Sequence, residues 1–196
     1  MHEGARTADT NRTANLLGAT ALAVTDKALA GITGAAAVST SGAAALVVLS
    51  AAPGLSVTEL GRRVGLSQSA AARMVDSLEA ERLVDRRSGV GRWVSVTATE
   101  AGLRTAHEVL AARGAPLAEA VAVLDEQEQA ALGALLGKLL TGIYQQVGSA
   151  ERVCRLCDRG ACVRGAVCPV GQAERHAKEK SAREAAAPES EPRESG

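Results

Sequence analysis

The sequence has very few aromatic residues, with one Trp, one Tyr and no Phe among its 196 residues. The core must therefore be assembled from Ala, Leu, Val and Ile, which suits closely packed helices better than an aromatic-rich β-sandwich. Hydrophobic residues make up 46% of the chain and charged residues 22%, as in ordinary globular proteins. These values exclude fibrous and wholly disordered classes, and we expect a mainly α-helical protein.

The sequence also lacks several features that would assign it to other functional classes. No apolar run of about 18 residues is free of charge, which argues against a membrane-spanning helix. The first fifteen residues contain no apolar stretch of the kind found in secretory signals, so we expect a cytoplasmic protein. No glycine-rich phosphate loop or serine elbow is present, and the three histidines, His2, His107 and His176, are widely scattered. We therefore do not expect an enzyme.

Net charge is absent as well, because 22 basic residues balance 22 acidic ones. Positive charge is instead concentrated between Arg62 and Arg92, where seven arginines face four carboxylates and leave a local charge of +3. Arginine suits phosphate because its planar guanidinium donates two hydrogen bonds at once. A basic surface, if the chain has one, should lie in this segment.

The same segment has the outline of a helix–turn–helix. Ser56 and Glu59 form the pattern of a capping box that begins a short helix, and Gly65 ends it. Ser67 then caps a second helix, on which Ala71, Met74, Val75 and Leu78 form the predicted buried stripe. Two helices joined by about three residues that include a glycine are typical of this motif.

A β-hairpin is predicted directly after the second helix, where the apolar period changes to two. Residues 83–87 and 92–97 are the two expected strands, and a tight glycine-containing loop joins them. Thr97 and Glu100 offer a capping box for a long helix that follows, with Thr99 as the alternative first threonine and a bend or break at Gly114 and Pro116.

Helical periodicity on both sides of this unit predicts further helices that could pair between subunits. An intrachain helical bundle is the alternative. The expected organisation is a flexible N-terminus (1–13), a winged helix–turn–helix domain (14–147) with a DNA-binding core at about 43–99 and dimerisation helices at about 14–32 and 100–147, a four-cysteine segment (148–177) and a disordered tail (178–196).

The predicted motif points to contacts with duplex DNA. Gln can form paired hydrogen bonds with adenine and Arg with guanine in the major groove, and a basic wing would touch the backbone or the minor groove. A charged hairpin exposed to solvent on an all-helical protein is the simpler alternative. The candidate DNA-binding residues are Ser67, Gln68, Ser69 and Arg73 on the second helix and Arg86, Arg87 and Arg92 on the hairpin.

Four cysteines within fifteen residues form a second candidate site. In a reducing cytoplasm they are better explained as metal ligands or redox sensors than as structural disulfides. The spacing Cys154-x2-Cys157-x4-Cys162-x5-Cys168 predicts a structural zinc site with four thiolate ligands. A thiol redox switch, an iron–sulfur cluster and unliganded thiols remain as alternatives.

From Leu55 to Gly102 the sequence LSVTELGRRVGLSQSAAARMVDSLEAERLVDRRSGVGRWVSVTATEAG resembles the MarR family of winged helix–turn–helix regulators. Members look like "L..LA...GLS....", then "..V..LE..GLV.R", then a wing that closes in a Thr-x-x-Gly helix start. The resemblance implies a two-fold dimer with interlocking terminal helices and one recognition helix for each DNA half-site. It places Ser67, Gln68, Ser69 and Arg73 on the recognition helix and Arg86, Arg87 and Arg92 on a wing that is shorter than usual.

These observations predict a homodimeric transcriptional regulator, a repressor, that binds a pseudo-palindromic operator in double-stranded DNA. A small-molecule effector, or the metal or redox state of the cysteines, would modulate it. The rival hypothesis is a helical, dimeric protein-interaction module with a structural zinc knuckle.

Overall fold

The computed structural model describes residues 2–35, 38–88 and 94–186. This part of the chain is mainly helical and contains one small antiparallel sheet, as the composition predicts. In chain order the elements are α1 (His2–Ala35), α2 (Thr40–Ala51), β1 (Leu55–Ser56), α3 (Val57–Val64), α4 (Gln68–Ala80), β2 (Val84–Ser88), β3 (Val94–Ala98), α5 (Glu100–Val121), α6 (Glu126–Val147), α7 (Ala150–Val153), α8 (Arg159–Cys162) and α9 (Pro169–Ala186).

The sheet has the order β1-β3-β2, with β3 antiparallel to both neighbours. Strands β2 and β3 form the hairpin expected from the sequence, and Arg86 lies opposite Val96. The two-residue strand β1, directly before α3, was not predicted. It ties the start of the helix–turn–helix to the hairpin, because Leu55 pairs with Val96. The hairpin loop, including Arg92 and Trp93, lies outside the described residues.

The main core is formed where α2, α3, α4 and α5 meet the sheet. Among the described residues no buried polar or charged side chain interrupts it. Burying such aliphatic side chains stabilises the fold by roughly 1.5–3 kcal/mol each. The largest fully buried side chains are Ile32, Leu46, Leu49, Leu60, Val75, Val84, Val96, Val109 and Val170.

Helix α1 begins at His2, so the expectation of a flexible segment at 1–13 is corrected for residues 2–13. A helix that is already nucleated gains one backbone hydrogen bond for each residue it adds, which favours extension through this polar stretch. Only the last part of α1 is buried, since Ala28 and Ile32 are covered while Leu17 is 45% exposed.

Helix α5 continues through Pro116 to Val121, where a bend or break was expected. Proline has no N–H, so the carbonyl of Ala112, four residues earlier, lacks its usual helical donor. Helix α1 approaches this carbonyl closely: a Cβ atom at Gly31 would lie only 2.5 Å from the Ala112 oxygen. The close crossing of α1 and α5 therefore requires glycine at position 31.

The cap of α5 is Thr99, the second of the two threonines that the sequence left open. Thr99, not Thr97, accepts the hydrogen bond from the backbone N–H of Gly102, over 3.1 Å. The Thr99 hydroxyl also donates to the carbonyl of Arg82 over 2.8 Å. Thr97 is unsuitable because it belongs to β3 and pairs with Asp85.

The chain after α6 is more ordered than the sequence suggests. Helix α9 packs against α6 and reaches Ala186, so the expected disorder of 178–196 is corrected for residues 178–186. Pairs of opposite charge one helical turn apart, Glu174 with Lys178 and Lys180 with Glu184, favour the helix. Residues 187–196 lie outside the described part.

None of the helices in the described ranges combines the length and the apolar character needed to cross a membrane.

Candidate nucleic-acid interface and cysteine cluster

Helices α3 and α4 form the predicted helix–turn–helix. Gly65 ends α3 in the left-handed conformation (φ +82°), and the Ser67 hydroxyl caps α4 by accepting from the N–H of Ala70. The two helices approach so closely that a Cβ atom at Gly61 would lie 2.6 Å from the Cβ of Ala71. These contacts fix the angle at which α4 leaves the turn.

The first turns of α4 present polar side chains to solvent. Ser67, Gln68, Ser69 and Arg73 are all exposed. The opposite face is buried through the stripe predicted from the sequence, Ala71, Met74, Val75 and Leu78. Four of the seven candidate DNA-binding residues therefore lie together at the N-terminal half of one helix, where short polar groups and a guanidinium are free to meet a ligand.

The arginines of α3 are held by an acidic neighbour. Glu59 forms salt bridges of 2.7 Å with both Arg62 and Arg63. These hydrogen bonds lower the pKa of Glu59 to about 2 and raise that of Arg62. Ser56 accepts from the N–H of Glu59 as predicted, but the Glu59 carboxylate is engaged by the arginines instead. The i,i+3 and i,i+4 spacing would have shown this from the sequence.

On the wing, Arg86 is tied to the recognition helix. Its guanidinium contacts Asp76 and Glu79, each at 2.5 Å, and the hydrogen bond with Asp76 raises its pKa. Arg86 thus joins β2 to α4 in the structure. Arg87 is exposed, and within the described ranges neither it nor Arg73 forms an ion pair. The structure leaves these two arginines available for an external anion.

The four cysteines are brought together in one place. Cys154, Cys157, Cys162 and Cys168 are half-buried, and all four line a cavity of about 540 Å³ beside α2, α3 and α9. Their thiols interact in sequence, Cys154 with Cys157, Cys157 with Cys162 and Cys162 with Cys168. The N–H of Gly171 donates to the sulfur of Cys168 over 3.4 Å.

The thiols differ in acidity. The hydrogen bond from Cys157 lowers the pKa of Cys154, whereas the same bond and burial raise the pKa of Cys157. Burial raises the pKa of Cys162 to about 11. Within residues 2–35, 38–88 and 94–186 no three His, Cys, Asp or Glu side chains converge as a metal-binding group. The thiols are neighbours along a chain of contacts rather than a closed ligand set.

The cysteine segment is integrated into the fold. Leu156 packs on the main core, and α7 packs against α3, α6 and α9. Glu151 lies 3.4 Å from the guanidinium of Arg62. Burial raises the pKa of Glu151, but its backbone hydrogen bond and Arg62 outweigh that effect and lower it overall. No local pattern in the sequence predicts this contact, because 89 residues separate the partners.

Residues 38–92, which include α2, the helix–turn–helix and β2, match the model of the MarR family. This part of the chain is therefore similar to the MarR family. Members of this family are transcription regulators and not enzymes. The family match ends at residue 92, well before the cysteines. No curated protein matches the chain.

Solved structures share the winged helix–turn–helix fold of this chain. YusO from Bacillus subtilis is 26% identical, with a TM-score of 0.59, over 67% of this chain and 96% of its own. The Mycobacterium tuberculosis MarR family protein Rv2887 is 26% identical, with a TM-score of 0.53, over 64% of this chain and 91% of its own. A MarR family protein from Bacillus stearothermophilus is 23% identical, with a TM-score of 0.62, over 72% of this chain and 96% of its own. The predicted fold class is confirmed.

Proposed function

We propose that this MarR-family chain is a sequence-specific DNA-binding transcriptional regulator, a repressor, in the bacterial cytoplasm at the nucleoid. The observation that carries the proposal is the polar N-terminal half of α4, exposed on a helix whose other face is buried in the core. A helix presented in this way fits the major groove. Structures of the relative Rv2887 include a complex with DNA, which supports the same assignment.

In this proposal Gln68 and Arg73 read base edges, while Ser67 and Ser69 bind phosphate or sugar at the start of α4. Arg87 contacts the backbone from the wing. Arg86 serves chiefly to hold the wing against α4, because Asp76 and Glu79 already engage it. Arg92 remains a candidate wing contact.

The active species is proposed to be a homodimer on a pseudo-palindromic operator. Helix α6 carries a long apolar surface that nothing in the described chain covers, and the outer half of α1 adds Leu16, Leu17 and Leu22. Pairing these helices between two copies would bury that surface and set the recognition helices about 34–36 Å apart, one turn of DNA. The proposed domain (14–147) contains both parts.

A small effector is proposed to bind between α1, α5 and the cysteine segment. A cavity of about 390 Å³ lies there, with apolar walls that include Val24, Ile32 and Leu117 and with Arg113 and Arg155 as its basic residues. An aromatic carboxylate would suit this combination, because apolar walls cover the ring and Arg113 binds the acid. The relative Rv2887 has been solved in complex with p-aminosalicylic acid, a compound of this class.

Zinc is the proposed metal at the four-cysteine segment (148–177). Thiolates are the preferred ligands of structural zinc, and the four thiols already line one cavity. Coordination requires the sulfurs to close around one centre, which the two single-turn helices of the segment can accommodate.

The experiment for DNA binding begins with selection of a bound sequence from random duplexes. Gln68→Ala and Arg73→Ala are then each expected to weaken binding of the selected duplex by about 1–3 kcal/mol, measured by fluorescence anisotropy. Affinity of the native chain should fall steeply with salt. Gln145→Ala and Arg104→Ala, the same changes on other helices, should bind normally. Failure to enrich any duplex, or full affinity in both α4 variants, would favour a protein-interaction module.

A further inference from the structure

The segment between α6 and α9 connects the apolar C-terminal helices to the helix–turn–helix. Its first helix, α7, packs against α3 on one side and against α6 and α9 on the other. Two successive residues make the contact with α3. The Glu151 carboxylate lies 3.4 Å from the Arg62 guanidinium, and Arg152 lies over Gly65, where an added Cβ would be 3.2 Å from its Nε. The segment therefore touches the turn from which the recognition helix starts.

The four thiols lie in the same segment, directly beyond this contact. Cys154 follows α7, and Cys157, Cys162 and Cys168 line the same cavity of about 540 Å³. Neighbouring thiols already interact, but no three of the described side chains converge on one point. Because zinc–sulfur bonds are about 2.3 Å long, closing the four thiols around one ion would shift the residues that carry them.

Beyond the packing of α7 and Leu156, the segment has little regular structure of its own. Its regular structure is limited to α7 and α8, of four residues each. Four arginines lie just before or among the cysteines in the sequence and would offset the net charge of −2 of a divalent ion with four thiolates. They are Arg152, Arg155, Arg159 and Arg164.

We propose that a thiophilic divalent cation of the zinc class, held by Cys154, Cys157, Cys162 and Cys168, controls DNA affinity by fixing α7 against α3. This inference rests on the proposed DNA-binding function. The loaded segment holds Glu151 and Arg152 on α3 and so restrains the helix–turn–helix relative to α6. Two recognition helices bind both half-sites only when their separation matches the spacing of the half-sites. Because the loaded segment holds this separation, the loaded protein binds DNA more tightly.

The test compares the metal-loaded and chelated forms of the full chain, purified without oxygen. We expect one zinc per chain by mass spectrometry and, with Co²⁺ in its place, thiolate-to-metal charge-transfer absorption. Titrated against the selected duplex, the loaded protein should bind more tightly by a factor of about 5 to 150. Removal of zinc should reverse the gain, and its return should restore it.

Two kinds of variant separate metal binding from its effect on DNA. Cys157→Ser and Cys162→Ser should lose zinc and bind DNA as the chelated protein does. Glu151→Gln keeps all four thiols, so it should take up zinc normally while its DNA affinity responds less to the metal. Glu179→Gln, the same change at an exposed position on α9, should retain both properties. The Glu151 variant keeps the inference testable if the cysteine variants fail to fold.

Several outcomes would overturn the inference. Equal DNA affinity of the loaded and chelated forms would end it while leaving the DNA-binding proposal intact, and so would stronger binding by the chelated form. A purified chain that holds an iron–sulfur chromophore or forms an internal disulfide, and takes up no zinc, would also contradict it. If neither form binds any duplex, both proposals fail together.

Discussion

Arg82 is the residue at which the backbone departs furthest from the ordinary preferences of its side chain. Within the described residues it is the one non-glycine residue with a positive φ, at +60°. It ends α4: its own N–H bonds to Glu79, and the next N–H, of Leu83, bonds to Leu78. The MarR pattern "LE..GLV.R" has glycine at this position, and glycine adopts the left-handed conformation without steric cost because it has no Cβ.

Replacing Arg82 with glycine should therefore stabilise the protein. We expect the free energy of unfolding to rise by about 1 kcal/mol, because the strain of the left-handed arginine is removed. Urea denaturation followed by circular dichroism measures the change. Glu81→Gly is the matched control, since Glu81 has φ −84° and should lose about 0.5–1 kcal/mol to the added freedom of glycine. A loss of stability in Arg82→Gly would contradict the strain.

Glu59 gives the helix–turn–helix a defined dependence on pH. Its pKa is lowered from 4.5 to about 2 by Arg62 and Arg63, so its ion pairs stabilise the folded state above pH 4.5. This stabilisation is lost as the pH falls from about 4.5 to about 2. Glu59→Gln should therefore be less stable than the native protein at neutral pH, and the difference should shrink across that window in urea denaturation series. A difference that stays constant with pH would mean that the pairs contribute nothing.

At the scale of elements, the contact between α3 and α4 depends on one missing side chain. A methyl group at Gly61 would lie 2.6 Å from the Cβ of Ala71, and neither backbone can yield without changing the angle of the recognition helix. Gly61→Ala should lower the free energy of unfolding by about 1–3 kcal/mol through overpacking. It should also weaken DNA binding beyond what the lost folded fraction explains.

The control for Gly61 is another helical glycine. Gly114 on α5 has no atom within 4 Å of an added Cβ, so Gly114→Ala should raise stability by about 0.5–1 kcal/mol, as alanine usually does inside a helix. Urea denaturation of both variants gives the comparison. Equal effects at the two positions would show that the crossing of α3 and α4 tolerates a methyl group.

Elements with strong local signals were predictable from the sequence. The cap at Ser67, the glycine at position 65 and the buried stripe of α4 are all set by neighbours within one or two turns. The close approach of α1 to α5 at Gly31 was not predictable, because only the tertiary fold brings these two helices together. The contact of Glu151 with Arg62 could not be predicted from the sequence either, since only the tertiary fold brings α7 to α3.

At the scale of the molecule, the described chain leaves too much apolar surface uncovered for a protein that acts alone. Leu135 is 57% exposed, Leu139 43% and Ile143 45%, and they lie on one side of α6. The opposite side of α6 packs against α9: Tyr144 is buried there, and a Cβ atom added at Gly137 would lie 3.8 Å from Pro169. An apolar stripe of this kind marks an interaction surface, and a second copy of the chain is the partner we propose.

Leu139→Glu tests this interface and its link to DNA binding together. A carboxylate in the centre of the stripe would have to be buried unpaired on dimerisation, so we expect a monomer by light scattering and size-exclusion chromatography. Its helix–turn–helix should remain folded by circular dichroism, yet its affinity for the two-half-site duplex should fall to that for a single half-site, because only one α4 can bind. Gln145→Glu introduces the same carboxylate off the stripe and should stay dimeric with full affinity. If Leu139→Glu remained a dimer, the subunits would have to meet through another surface. If it became a monomer and still bound the full duplex with native affinity, the spacing of two recognition helices would not determine binding.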